Sequence, residues 1–187
     1  MKTEETKSKI NIEKENIRSL FFDLGGENGL NRQEARKVFV SRGTDAVDYL
    51  AEAIIIANHN EKLANFGVSP GHLKWEALKA LVEIANPSST PLFLDAMKDE
   101  DNSIRWLAAE GFSALQNDGL KYLLDALIKS PDSLFLRRGA HHVLSTFIQL
   151  RKIPGMRELL NELKNPVEDE RIPLSAKKVL EAITNFP

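Results

Sequence analysis

Four stretches of this chain superimpose without a gap, and together they restrict what it can fold into more than any other feature. They run over residues 73–81, 104–112, 136–144 and 172–180. Each opens on an apolar residue (Leu73, Ile104, Leu136, Ile172) and carries alanine four positions later (Ala77, Ala108, Ala140, Ala176). A large apolar residue follows at the eighth position (Leu81, Phe112, Leu144, Leu180) and another at the eleventh (Ile84, Leu115, Phe147, Ile183). Offsets of 0, 4, 8 and 11 fall in one stripe of a helix with 3.6 residues per turn, so each stretch is a helix with one buried face. The alanines fit a close helix crossing, where a small side chain lets two backbones approach. Openings at 73, 104, 136 and 172 recur after 31, 32 and 36 residues, enough for two helices and two turns.

The second helix of each unit is visible at Pro91–Met97, Leu120–Leu127 and Met156–Leu163. Punctuation falls at Asn86–Ser89, Gln116–Gly119 and Lys129–Asp132, and Thr90 before Pro91 reads as a helix cap. A divergent unit precedes these. Asn31 and Glu34 have the spacing of a capping box, Ala35 and Phe39 take the alanine and large-apolar places, and Thr44–Ile56 is its second helix. Ahead of it, Ile12–Leu24 reads as one more helix, closed by Gly25 and Gly26. The expected repeats are 31–58, 72–98, 102–128, 133–164 and 170–185 in a single domain over 1–187, with residues 1–11 flexible, an insertion at 58–71 and the last helix, up to Phe186, as a cap.

This pattern of an apolar residue, Arg or Lys, two variable residues, then Ala, resembles HEAT repeats over Asn31–Ile183, in particular the short bacterial kind also found in phycobilin lyases. The resemblance implies an all-α fold: a right-handed α–α superhelix of about five helix pairs plus an N-terminal helix. It also implies a protein or peptide partner held along the solenoid surface. A phycobilin-lyase-like protein that handles a tetrapyrrole is the alternative, and DNA binding, as in HEAT-like alkylpurine glycosylases, a further one.

Composition narrows these. Twenty-five basic against 27 acidic residues give a formal charge of −2, which offers no general attraction to nucleic acid or to an anionic membrane. There is no cysteine, so disulfides, thiolate metal sites and a cysteine nucleophile are excluded together. The N-terminus lacks the apolar core of a secretory signal, and the longest apolar run, Ala53–Ala57, falls far short of the ~20 residues that cross a bilayer. A cytoplasmic protein, monomeric or weakly dimeric, is expected. No phosphate-binding loop or nucleophile elbow is present; Gly25-Gly26-Glu-Asn-Gly29 lacks both the lysine and the preceding strand. The adjacent His141 and His142 diverge by about 100° on a helix and do not chelate one ion together. Deoxyhypusine hydroxylase, a HEAT-like enzyme, holds iron with His-Glu pairs at the start of such helices. The matching pairs here, Trp75-Glu76, Trp106-Leu107, Arg138-Gly139 and Leu174-Ser175, contain no histidine. No catalytic residue, metal or cofactor is expected.

The candidate binding residues are Trp75, Arg105, Trp106, Arg138 and His142. Trp75 and Trp106 are the only tryptophans and hold the same place in successive repeats, with Arg138 there in the next. On a regular stack they line one ridge, with Arg138 over Trp106 in a cation–π contact. Lys74, Arg105 and Arg137 form a parallel basic row, which is equally placed to satisfy the acidic turn Asp99-Glu100-Asp101. The rings either pack between repeats or anchor a binding groove, because aromatic and arginine side chains dominate interface hot spots.

Overall fold

A computed structural model describes residues 16–60, 62–150, 152–164 and 170–185. The expectations for residues 1–11, for a helix start at Ile12 and for a helix end at Phe186 lie outside them. Every regular element among the described residues is helical. The chain divides into two compact units, Met1–Ile84 and Ala85–Pro187.

In the first unit, α1 is described over 16–25. It is followed by α2 (Gly29–Arg42), a 3-10 turn (Gly43–Ala46), α3 (Val47–His59), a second 3-10 turn (Leu63–Phe66) and α4 (Pro70–Ile84). α4 packs along α3 and against α2. Phe21 of α1 stacks on the fully buried Phe39 of α2, with ring centroids 6.0 Å apart. Helix α2 is capped three residues before the expected position. Asn28, not Asn31, accepts from the N–H groups of Leu30 and Asn31, while Glu34 pairs with Lys37 on the surface. Both asparagines offer a capping oxygen, and the turn after Gly26 presents only Asn28 in the extended conformation a cap needs.

The insertion at 58–71 is folded, not a free loop. Leu63 and Val68 are buried, and the Ser69 N–H donates to the Gly25 carbonyl at 2.7 Å. Helix α1 ends at Gly25, with Gly26 just beyond it, as expected, and a Cβ at Gly25 would lie 2.4 Å from Val68 Cγ1. Its missing side chain is what lets the insertion lie against α1.

The second unit comprises α5 (Thr90–Ala96), α6 (Asn102–Ala114), α7 (Gln116–Lys129), α8 (Leu134–Leu150), α9 (Met156–Lys164) and α10 (Arg171–Asn185). Four apolar residues of the repeat pattern, Ala77, Ala108, Ala140 and Ala176, are fully buried, one in the first unit and three here. Thr90 is not a cap; it lies inside α5 and its hydroxyl donates back to the Pro87 carbonyl, while Asn86 caps the short turn Pro87–Ser89 before it. The stretch Gln116–Gly119 is also not a break but the first turn of α7. The direction of the chain reverses at Leu115 and Gln116 alone, with Gln116 left-handed at φ 52°. Ala85, at the equivalent place after α4, is left-handed as well (φ 51°), whereas α8 runs straight through that position to Leu150.

The main neighbours of α10 are α7 and α9. It therefore does not extend the row formed by α6 and α8, which pack on each other. One face of α8, with Leu134, Phe135, Arg138 and His142, is exposed.

Candidate functional site

The turns before α2 and α6 are each built by an arginine. In α2, Arg32 stands four residues after the Asn28 cap, and its Nη1 donates to the carbonyls of Gly26 and Glu27, both at 2.8 Å. In α6, Arg105 stands four residues after the Asp101 cap, and its Nη1 donates to the carbonyls of Asp99 and Glu100, both at 2.7 Å. The same offset and the same two carbonyls recur, satisfying acceptors that the turn would otherwise leave open. Asp101 accepts from Ser103; that hydroxyl first, and then the Ser103 backbone N–H, holds the Asp101 carboxyl below the usual carboxylate range. Arg105 thus does what the basic row was alternatively expected to do.

Four of the five expected residues nevertheless meet. Arg105, Trp106, Arg138 and His142 line one groove of about 220 Å³ between α6 and α8, together with Phe135 and Asn102. Its floor is Met97, Ala109 and Gly139. A Cβ at Gly139 would come within 3.0 Å of Met97 Sδ, so the glycine makes room for the methionine beneath it. Trp106 is 51% exposed and Phe135 43% exposed. The cation–π contact forms between Arg105 and Phe135, at 5.3 Å from guanidinium carbon to ring centroid, rather than between Arg138 and Trp106. Arg105 is already pinned by the Asp99–Glu100 turn, so its guanidinium plane is fixed where Phe135 can use it. Arg138 is exposed and has no ion pair with a described residue. His142 Nε2 stands 3.9 Å from Glu110 Oε1. Trp75, the fifth residue, is half-buried on α4 of the first unit.

Phe135 escaped the sequence reading because it lies one residue before the apolar opening of its repeat, outside the compared columns. A second stripe on α8 contains the signal. At 100° per residue, Leu134, Phe135, Arg138, His141 and His142 fall within an arc of ~120°, opposite the buried Leu136, Ala140, Val143 and Phe147.

His141 is half-buried at the edge of that arc. Burial lowers its pKa below the ordinary 6.5, and the charges of Lys164 on α9 and His142 lower it further. Arg137 and Arg138 add positive charge from α8 itself. A depressed folded value means that the unfolded chain takes up the proton first as pH falls. The stability contributed by neutral His141 is therefore complete above about pH 6.5 and is lost as pH drops through the lowered folded value. Thermal melts from pH 7.5 to 5.5 should show the midpoint falling, and His141→Gln should remove that part of the fall.

The order of the elements, antiparallel pairs of helices joined by short turns with an alanine at each close crossing, is that of a helical repeat protein. Residues 69–145, from the start of α4 into α8, match the family model described as HEAT repeats. No curated protein and no solved structure matches the chain. Among the described residues no helix is long and apolar enough to cross a membrane. No group of three or more His, Asp or Glu side chains among them is placed to hold a metal ion.

Proposed function

We propose that the protein is a non-enzymatic interaction module that seats side chains of an extended protein segment in the groove between α6 and α8. HEAT repeats generally mediate protein–protein interaction. The observation that carries the reading is that the half-exposed rings of Trp106 and Phe135 line one groove with the exposed Arg138, which has no ion pair with a described residue. Tryptophan, tyrosine and arginine are the side chains that most often dominate binding energy. A space of 220 Å³ falls below the ~300–1,000 Å³ of pockets that enclose a whole small molecule, and suits one or two side chains of a larger partner.

The test uses Trp106 as its own reporter. In a Trp75→Phe background Trp106 is the sole tryptophan, so its emission follows occupancy of the groove. The protein is panned against a displayed peptide library, and enriched peptides are then titrated by fluorescence. Trp106→Ala, at an exposed position, is expected to weaken binding about tenfold or more, equivalent to at least ~1.4 kcal/mol, with an unchanged thermal melt. Enrichment of no peptide, or equal affinity for Trp106→Ala, overturns the reading.

A further inference from the structure

A second groove, of about 350 Å³, opens on the other side of Arg138. It is lined by Leu134, Arg137, Arg138, His141, Leu163 and Lys164. Every polar side chain on this wall is basic, although the chain as a whole carries a formal charge of −2. Arg137 is buried and engaged elsewhere, so the groove presents Arg138, His141 and Lys164. None of these three has an ion pair with a described residue. The groove shares Arg138 with the first one, and the two form a continuous strip along the exposed face of α8. Leu134, 50% exposed, and Phe135 stand at its head.

Resting on the peptide-binding reading, we propose that the occupant of this strip is an acidic segment. Its carboxylates sit on Arg138, His141 and Lys164, and an apolar side chain sits against Leu134 and Phe135. Complementary charge carries the choice. Like charges packed without counter-charge repel, and an opposite charge brought between them relieves that repulsion at each member. Burial lowers the His141 pKa first, and the charges of Lys164 and His142 lower it further. Geometry sets the ligand's grammar. Arg138 and His141 stand one helical turn apart, roughly 5–6 Å. Same-side residues of an extended chain are spaced by about 6.6–6.8 Å. Alternate residues of an extended segment can therefore meet successive cations of the strip, with an apolar residue two positions from an acidic one.

The experiment uses the full chain and three fluorescein-labelled decapeptides that share a Leu-Phe core. They carry flanking Glu and Asp, flanking Lys, or flanking Gln and Ser; a 20-base-pair DNA duplex is the fourth probe. The acidic peptide is expected to bind about tenfold tighter than the lysine peptide at 50 mM salt, with the margin shrinking at 300 mM. Arg138→Glu/Lys164→Glu, at two exposed positions, is expected to invert the preference while leaving the thermal melt in place. Equal binding of acidic and basic peptides, an unaltered preference in the charge-reversed protein, or displacement of the acidic peptide by equimolar duplex overturns the proposal. Trp106→Ala separates the two readings. If it weakens all three peptides while the charges make no difference, the groove stands and the acidic assignment falls. If it weakens none while charge reversal inverts the preference, the acidic site stands and the aromatic anchor falls.

Discussion

Glu76→Ala is expected to destabilise the first unit by about 3–5 kcal/mol, the range for removing one partner of a buried ion pair. Glu76 lies on α4 and is only 7% exposed. Its Oε2 pairs with Arg36 Nη1, and its Oε1 stands 3.7 Å from Arg32 Nε. The alanine variant would leave two guanidinium groups of α2, both largely buried, without their shared carboxylate, and the desolvation that the pair had offset would then be uncompensated. Arg36 keeps one partner, since its Nε stands 3.0 Å from Glu83 Oε1. That carboxylate is 41% exposed and screened by water. Glu83→Gln should accordingly cost less than about 1 kcal/mol. Replacing Glu76 together with Arg36, as Glu76→Leu/Arg36→Met, is expected to recover part of the loss, because only the Arg32 guanidinium, still held by the Gly26 and Glu27 carbonyls, then lacks its carboxylate. Urea unfolding of the four proteins checks the order. A loss in Glu76→Ala no larger than that in Glu83→Gln would show that the network contributes little and that apolar packing alone joins α2 to α4.

The alanine column and the pairing of helices were legible because burial leaves a periodic imprint. Ala77, Ala108, Ala140 and Ala176 recur where two backbones cross, and no other side chain fits there without forcing the helices apart. What the sequence conveys poorly is a choice between equivalent local partners. Asn28 and Asn31 both have a capping oxygen, and backbone conformation three residues away selects between them. Glycines mislead for a related reason. Gly119 reads as punctuation, yet it sits inside α7, whereas Gly25 does end its helix. A Cβ at Gly119 would stand 2.3 Å from the Phe112 carbonyl oxygen, so its role is close approach rather than a turn. The site was half legible. Comparing columns across repeats located Trp106, Arg105 and Arg138, but a column comparison sees only what repeats. Phe135, His141 and Lys164 line the strip from positions outside the compared columns, so no column records them.

Phe93→Ala is expected to cost the second unit about 3–5 kcal/mol, as for other large-to-small changes at fully buried aromatics, and its companion Gly111→Ala should change sign in its presence. Phe93 is fully buried on α5, with its ring centroid 6.2 Å from that of Phe112. A Cβ on Gly111 of α6 would lie 2.5–2.6 Å from three of the ring's carbons. Two effects compete at Gly111. Alanine favours a helix interior over glycine by up to ~1 kcal/mol. Forcing a methyl into a packed core costs ~1–3 kcal/mol. The ring is enclosed on all sides and cannot swing away, so the clash wins and Gly111→Ala alone is destabilising. With Phe93 truncated, the obstacle is gone; the methyl then gains its helix propensity and fills part of the space the ring left. Gly111→Ala should therefore be stabilising in the Phe93→Ala background, with a coupling of ~1–3 kcal/mol between the two sites. Chemical denaturation of the wild type, both single variants and the double variant measures that coupling. Equal and additive costs in the two backgrounds would mean that α5 and α6 move apart to admit the methyl, and that the crossing is looser than the glycine implies.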